Sequence, residues 1–532
     1  MSELCWGTPE TLQQLLCELV SWESRTHTEG ERSFPFKLEK KLSSLEYFQK
    51  YPEQLSLHEA DLGRHFVTAF YKHPEVRDTV VLISHFDTVA AEEYGDLEHL
   101  AYRPIELTRE LQHRKSHLKE EARLDLESGN YLFGRGTMDM KMGLALHMAL
   151  IEKASVEQWP INLLLLTVPD EEVNSAGMRC AVTELVSMRD HYNITYKLFL
   201  NSEPSFPQKP GDQKQYIYSG SMGKIMPAAL FYGKETHVGE PLKGMTANYI
   251  SSYLTQLMEW NSLFREEHLG ESTPLPVSLQ QKDLQLQYSV QTPYRAVALY
   301  NVFLLKRSAS EVMDIFGKIA NEAAKRCNDA YQKLCRQEQI TPIGVVKVLR
   351  YGELLQYAEN KFGSDFIVQL KNEVLKNDIW DEREKSLRMA DKLMTRCKEL
   401  SPSIVILFAP PYYPAVNSSN DMVIKDAIDV LKDTAKQLGI DVSQIHYFNG
   451  ICDLSYVQYD DDGKGWTVFE QNTPIWGTAY SIPFQDMMEL QAPVLNVGPF
   501  GKDAHQSTER LHTESAFVQT PVMLQRLIKS LI

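Results

Sequence analysis

Cysteine is sparse in this chain of 532 residues: Cys5, Cys17, Cys180, Cys327, Cys335, Cys397 and Cys452 stand far apart, with no CxxC pair and no Cys/His cluster. An odd, scattered set does not read as a disulfide framework, and a thiolate zinc site is not expected. Long hydrophobic runs are missing as well. No stretch of 18 uninterrupted apolar residues occurs, so no membrane span is expected. The N-terminal stretch has no basic leader and no clean apolar segment, so the expected location is the cytoplasm. Basic residues are outnumbered, 55 Lys and Arg against 71 Asp and Glu, for a formal net charge of −16. That excess argues against a protein that coats nucleic acid, and neither a nucleic-acid nor a membrane partner is expected. Internal repeats and low-complexity linkers are absent too.

What is present is an ordinary globular composition, with 43% hydrophobic and 24% charged residues. The length allows two to four domain-sized units, or one large domain with an insert. An amphipathic helix capped near Thr8 begins the chain, with Leu12, Leu15, Leu16 and Leu19 on one face. FVTAFYK (66–72) and TVVLISHFDTV (79–89) read as neighbouring strands, INLLLLTVPDEE (161–172) and YKLFLNSEPS (196–205) as further strands. Helices are expected over 138–154 and 176–192, and a long loop over 90–130. Strands apolar on both faces, with helices between them, imply an α/β fold with a covered, mostly parallel sheet. From 219 the pattern changes to half-exposed strands at 224–235 and 295–305, with helices around 245–260 and 308–336 and a charged helical stretch at 353–400. After 412 it returns to the first style. A discontinuous domain over 1–218 and 413–532 is therefore expected, around an inserted α+β domain over 219–412.

Chemistry-bearing residues gather where apolar strands stop. His85 and Asp87 follow one strand, Asp170, Glu171 and Glu172 the next, and Glu203 a third. Ligands of open α/β sheets collect beyond the carboxyl ends of strands, so these residues point to one place. The glycine-rich turn Gly134-Arg135-Gly136-Thr137-Met138-Asp139 adds a carboxylate, and Gly501-Lys502-Asp503-Ala504-His505 follows another apolar strand. Such carboxylates with two imidazoles would repel one another without cations. Mixed imidazole and carboxylate donors suit zinc, and also cobalt or manganese. Two metals can share one carboxylate and one water, while one acid stays unligated to take the water's proton.

The motifs SHFDTV, GRGTMDMKMG, PDEEVNSAG, NSEPS and GKDAHQSTE, in this order, resemble the dinuclear zinc amidohydrolase and peptidase family. Succinyl-diaminopimelate desuccinylase, acetylornithine deacetylase, aminoacylase and glutamate carboxypeptidase belong to it. The N-terminal LVSWESRTHTEGE is similar to that family's opening helix and serine turn. Within the family, the long chain and the APPYYP segment most resemble a bacterial arginine-utilisation branch. The resemblance implies two zinc ions bridged by Asp139, with His85 and Glu203 on one and Glu172 and His505 on the other. It implies Asp87 behind His85, Glu171 as general base and then general acid, and His237 of KETHVGEP as an oxyanion donor from the inserted lid. Its implied substrate is an N-acyl amino acid or small peptide, and its implied assembly a homodimer through the lid, although an enlarged lid can also imitate a partner within one chain. The competing reading is a non-catalytic amino-acid or peptide binding protein with a vestigial site; a metal-dependent phosphoesterase is a third.

One position departs from the family pattern. Phe303 stands where a carboxylate-gripping Arg is expected, and Phe cannot make that bidentate contact. Either the register of this strand differs from the family's, or another cation such as Arg295 or Arg307 substitutes, or the substrate lacks that carboxylate. Other features read as structural: His113 and His117 as a solvated helix face, His147 as a packed histidine, and Asp460-Asp461-Asp462-Gly463 as a polar turn. SGSMG (219–223) lacks the leading glycine of a nucleophile elbow. Glu509 reads equally as a partner of the metal site and as a helix-start carboxylate.

Overall fold

Thr8 accepts the amide of Thr11 and so starts the helix Pro9–Ser21, whose Leu12, Leu15, Leu16 and Leu19 are buried at helical spacing. From there a computed structural model describes residues 4–285, 287, 290–461 and 463–532. It resolves into two units. The first holds the residues up to Ser221, Val416–Tyr459 and Pro483–Ile532; the second holds Met222–Ala415 and Asp460–Ile482.

The first unit is built on an eight-stranded sheet. Its order is Leu55–Glu59, His65–Tyr71, Asn162–Val168, Asp78–His85, Thr195–Asn201, Val494–Asn496, Gln215–Tyr218 and Val442–Ile445. The four central strands, Asn162–Val168 through Val494–Asn496, run parallel. Antiparallel pairing enters on both sides of them, at His65–Tyr71 and at Gln215–Tyr218. The strands expected as neighbours near 66–72 and 79–89 are not adjacent: Asn162–Val168 lies between them. All seven of its residues are buried, so the central slot is where its two apolar faces are both covered. The helix Met142–Glu157 packs closely behind the sheet. A Cβ on Gly143 would lie 2.6 Å from the Ser202 carbonyl oxygen, so only glycine permits the approach.

The 90–130 stretch is helical rather than a loop. Pro104–His113 buries Leu107 and Leu111, and Glu120–Ser128 buries Ala122 and Leu126, so each helix has a narrow apolar stripe. The charged residues around these stripes hide the periodicity in the sequence.

The second unit has a five-stranded sheet in the order Val277–Asp283, Arg295–Leu304, Gly223–Tyr232, Ser403–Tyr413 and Lys347–Arg350. Ala309–Gln337, capped by Ser308 with Glu311 reciprocating, lies over the face that bears Ile406. The opposite face bears Met226, Ala228, Leu230, Val297, Leu299, Val405 and Leu407. It is covered by Tyr351–Phe362, Ser364–Leu375 and Glu382–Arg396 through Leu354, Leu370, Val374, Leu387 and Leu393. These three helices add a second helical layer to the unit. Residues 460–482, expected with the first domain, belong here instead. Phe469 stacks on Phe408 and Tyr412, and the Tyr480 hydroxyl accepts the Tyr412 amide. Among the described residues no helix is long and apolar enough to cross a membrane.

Candidate metal centre

Three parallel strands deliver the site. His85 is the last residue of Asp78–His85, Glu171 and Glu172 follow Asn162–Val168, and Glu203 follows Thr195–Asn201. Asp139 comes from the irregular turn Thr137–Lys141 ahead of the helix Met142–Glu157. His505 follows the short strand Gly501–Lys502 with φ of +62°, in the left-handed region that a residue with a side chain seldom adopts.

These side chains converge into two triads that share Asp139: His85, Asp139 and Glu203, and Asp139, Glu172 and His505. His85 Nε2 lies 3.3 Å from Asp139 Oδ1, 3.4 Å from Glu203 Oε1 and 3.8 Å from Glu171 Oε2. His505 Nε2 lies 3.1 Å from Asp139 Oδ2 and 3.1 Å from Glu172 Oε2. Glu171 belongs to neither triad. The cluster is buried on the His85 side and opens toward solvent at His505, whose side chain is 49% exposed.

The electrostatics are those of an acid cluster that needs positive charge. Burial alone would lower His85, but Glu203, Asp139 and Asp87 outweigh it and hold the imidazole well above its ordinary value. His505 is likewise pushed up to about 11 by Asp139 and Glu172 against its burial. Burial first, then neighbouring carboxylates, raise Glu203 to about 7 and lift Glu171 and Glu172 above the ordinary range. His85 Nε2 is buried and makes no hydrogen bond although three carboxylates face it. An unsatisfied ring nitrogen amid carboxylate oxygens fits a divalent cation better than a packed polar cluster.

Asp87 ties the triads to the backbone. His85 Nδ1 donates to the Asp87 carbonyl at 3.0 Å, so in the neutral ring it is Nε2, facing the cluster, that carries the lone pair. The Asp87 carboxylate accepts the Glu171 amide at 3.1 Å, the Glu172 amide at 3.3 Å and the Thr26 hydroxyl at 2.8 Å. One residue therefore aligns both the ring of His85, through its carbonyl, and the turn of both glutamates, through its carboxylate.

The remaining expected residues are placed as follows. His237 belongs to the second unit, exposed, with Nδ1 accepting the Gly239 amide at 3.0 Å. Phe303 stands opposite Lys224 on the neighbouring strand. Arg295 is engaged by Asp391 at 3.0 and 3.3 Å, and Arg307 donates to the Leu263 carbonyl. Glu509 starts no helix; it is fully buried against Arg135. His147 is buried and bonded to Ser202, and burial lowers it to about 3. His113 and His117 are exposed. Asp461 caps the Trp466 amide, and Asp462 lies outside the described residues. Two acids or cations that sequence reasoning missed also stand near the centre. Asp453, in the turn Asp453–Tyr456, is buried, is pushed up to about 7 by that burial, and raises Glu171 in turn. Arg64, buried at the start of the strand His65–Tyr71, contacts Asp170. A lone acid in an apolar stretch was the only signal for the first, and nothing local marks the second.

Residues 81–530 match the model of peptidase family M20/M25/M40. The chain belongs to this family. As an M20 member it is a metal-dependent hydrolase, and the two triads are its candidate metal site. It is 41% identical to the uncharacterised protein YqjN of Bacillus subtilis, over 99% of this chain and 97% of that protein. It is 28% identical to protein RocB of Bacillus subtilis, over 97% of this chain and 94% of that one. The fold is also that of the M20 family metallo-carboxypeptidase Sso-CP2 from Sulfolobus solfataricus, with a TM-score of 0.54 at 10% identity, over 97% of this chain and 98% of that one.

Proposed function

We propose that this M20 hydrolase cleaves the amide or peptide bond of an N-acyl amino acid or small peptide with two divalent ions, zinc first and cobalt or manganese as substitutes. The observation that carries the reading is the split carboxylate of Asp139, with one oxygen 3.3 Å from His85 and the other 3.1 Å from His505. His85, Asp139 and Glu203 would hold one ion, and Asp139, Glu172 and His505 the other. Bound there, such a pair acidifies water and polarises the scissile carbonyl.

The chain's own groups do the rest. Glu171 takes the proton of the attacking water and passes it to the departing nitrogen. In the metal-free chain, burial first and then Asp453 and Glu203 raise its carboxyl above the ordinary range against the pull of His85. Asp87 keeps His85 in the tautomer that presents Nε2. His237 accepts on Nδ1, so the neutral ring carries its proton on Nε2, the form that donates to a developing oxyanion.

Two observations support a substrate class. Likeness to RocB, together with the sequence's resemblance to an arginine-utilisation branch, supports a role in arginine or related amino-acid catabolism. The engaged state of Arg295 and Arg307, with Phe303 between them in sequence, supports a substrate whose carboxylate is not held by an arginine of this strand. A vestigial binding protein is the competing reading that Phe303 favours. The reading includes a cytoplasmic setting, in keeping with seven free cysteines, and a homodimer through the lid. The test is a hydrolysis screen of the zinc-loaded chain over N-acyl amino acids and dipeptides, including arginine and ornithine derivatives. Turnover of one class, abolished in Glu171→Gln, supports the enzyme; metal binding without turnover across the panel supports the binding protein.

A further inference from the structure

The turn that carries Glu171 and Glu172 is fixed from behind by a buried ion cluster to which the proposed chemistry gives no part. Arg64 is 3% exposed, and its guanidinium reaches Asp170 Oδ1 at 2.6 Å and Asp61 Oδ1 at 2.8 Å, with Glu31 at 3.7 Å. Asp170 is fully buried and has φ of +68°, a left-handed conformation that a non-glycine residue holds only under constraint. The constraint is visible at both carboxylate oxygens and at the carbonyl. Oδ1 also meets His27 Nε2 at 3.1 Å, Oδ2 accepts the Ala176 amide at 3.0 Å, and the carbonyl accepts the amides of Asn174 and Ser175. Glu31, fully buried, accepts the His27 amide at 2.7 Å and closes the cluster.

The next two residues are pinned from the other side, because the amides of Glu171 and Glu172 both go to Asp87. Arg64 is the cation at the centre of this arrangement, facing Asp61, Asp170 and Glu31. Without it, Asp170 would lose its closest ion pair among buried carboxylates, and its left-handed turn would lose the charge that favours it. Residue 170 sets the direction in which 171 and 172 leave the strand, so a relaxed turn would move both glutamates at once.

We infer that Arg64 is a positioning residue: acting through Asp170, it aims Glu172 at its triad and Glu171 at the gap between the two triads. The inference rests on the metal-site reading above, and it assigns Arg64 no contact with substrate. Guanidinium geometry matters, because a planar fork reaches Asp61 and Asp170 together while an ammonium is a single point of charge.

The test uses the full chain with Arg64→Met and Arg64→Lys, titrated with zinc against a chromophoric chelator, beside thermal unfolding of the metal-free proteins. Loss of an outer partner of a metal ligand typically weakens affinity about 10–100-fold. Arg64→Met should lose about that much at one of the two sites and under about 3-fold at the other, because Glu172 serves only one triad. Arg64→Lys, which keeps the charge and should fold even where the Met variant does not, should recover part but not all of the affinity. A fall in thermal midpoint with both zinc affinities unchanged in Arg64→Lys or Arg64→Met overturns the inference and leaves a purely structural arginine. Equal loss at both sites also overturns it. A wild-type chain that binds no zinc instead overturns the metal-site reading, and the inference with it.

Discussion

In the first unit, three parallel strands release His85, Glu171 with Glu172, and Glu203 from their carboxyl ends into a single cluster, where Asp139 and His505 join them. In the second unit, the strands are mainly antiparallel and helices cover both faces of the sheet. Some of its charged side chains close on one another, as Arg295 does on Asp391 and Lys282 on Glu384. Among the described residues it contributes no member of either triad. The difference follows from topology. Parallel strands joined by helical crossovers all end on one edge, so polar residues placed just after them meet. An antiparallel sheet sends successive strand ends to opposite edges, so polar residues placed just after them are kept apart.

Substitutions can break this contrast at either unit. The largest effect is expected at the base: Glu171→Gln should lower kcat by about 10³-fold or more, near the upper range for a positioned acid–base group, with zinc content unchanged on elemental analysis. In the second unit, His237→Ala should lower kcat by about 10²–10³-fold with zinc content again unchanged, as for loss of an oxyanion donor. A His237→Ala chain with full activity would confine the chemistry to the first unit.

The two units should also respond differently to pH. Burial raises Glu203 to about 7 and Glu31 to about 8 from an ordinary 4.5, so both hold protons in the folded state that the unfolded chain has already lost. Stability of the metal-free chain therefore falls as pH rises from 4.5 toward 8. His505 adds to this, because its raised value gives stability that is full below 6.5 and fades toward about 11. Thermal midpoints of metal-free protein should drop by roughly 3–6 °C between pH 5 and pH 8, with the loss concentrated in the first unit, and zinc should flatten the slope. A rising midpoint over this window would contradict the placement of these acids. The smallest expected effect concerns specificity. Amidating the substrate carboxylate should change kcat/KM by less than about 3-fold, because no arginine of the Arg295–Leu304 strand grips it.

The same contrast explains what the sequence revealed. All five residues that the structure gathers into the two triads stood out in the sequence, because each follows an apolar strand or a glycine turn, a local signal that survives without tertiary information. Whether a given strand lies beside its sequence neighbour was not legible: Asn162–Val168 inserts between the two strands that precede it, and only packing decides that. The helices over 104–128 were hidden by their charged faces, and the transfer of residues 460–482 depends on the stacking of Phe469 on Phe408. Arg64 and Asp453 were missed because their partners stand far away in sequence: Arg64 meets Asp170, and Asp453 acts on Glu171.

With two ions in one centre, the Asp139 carboxylate would serve both. Zinc titration of the wild-type chain, Asp139→Asn and His505→Ala, with bound metal counted by elemental analysis, decides this. Wild type should hold about two equivalents, His505→Ala about one, and Asp139→Asn fewer than one, since both ions would lose a ligand. A wild-type chain that saturates at one equivalent, or an Asp139→Asn chain that still holds two, would contradict it.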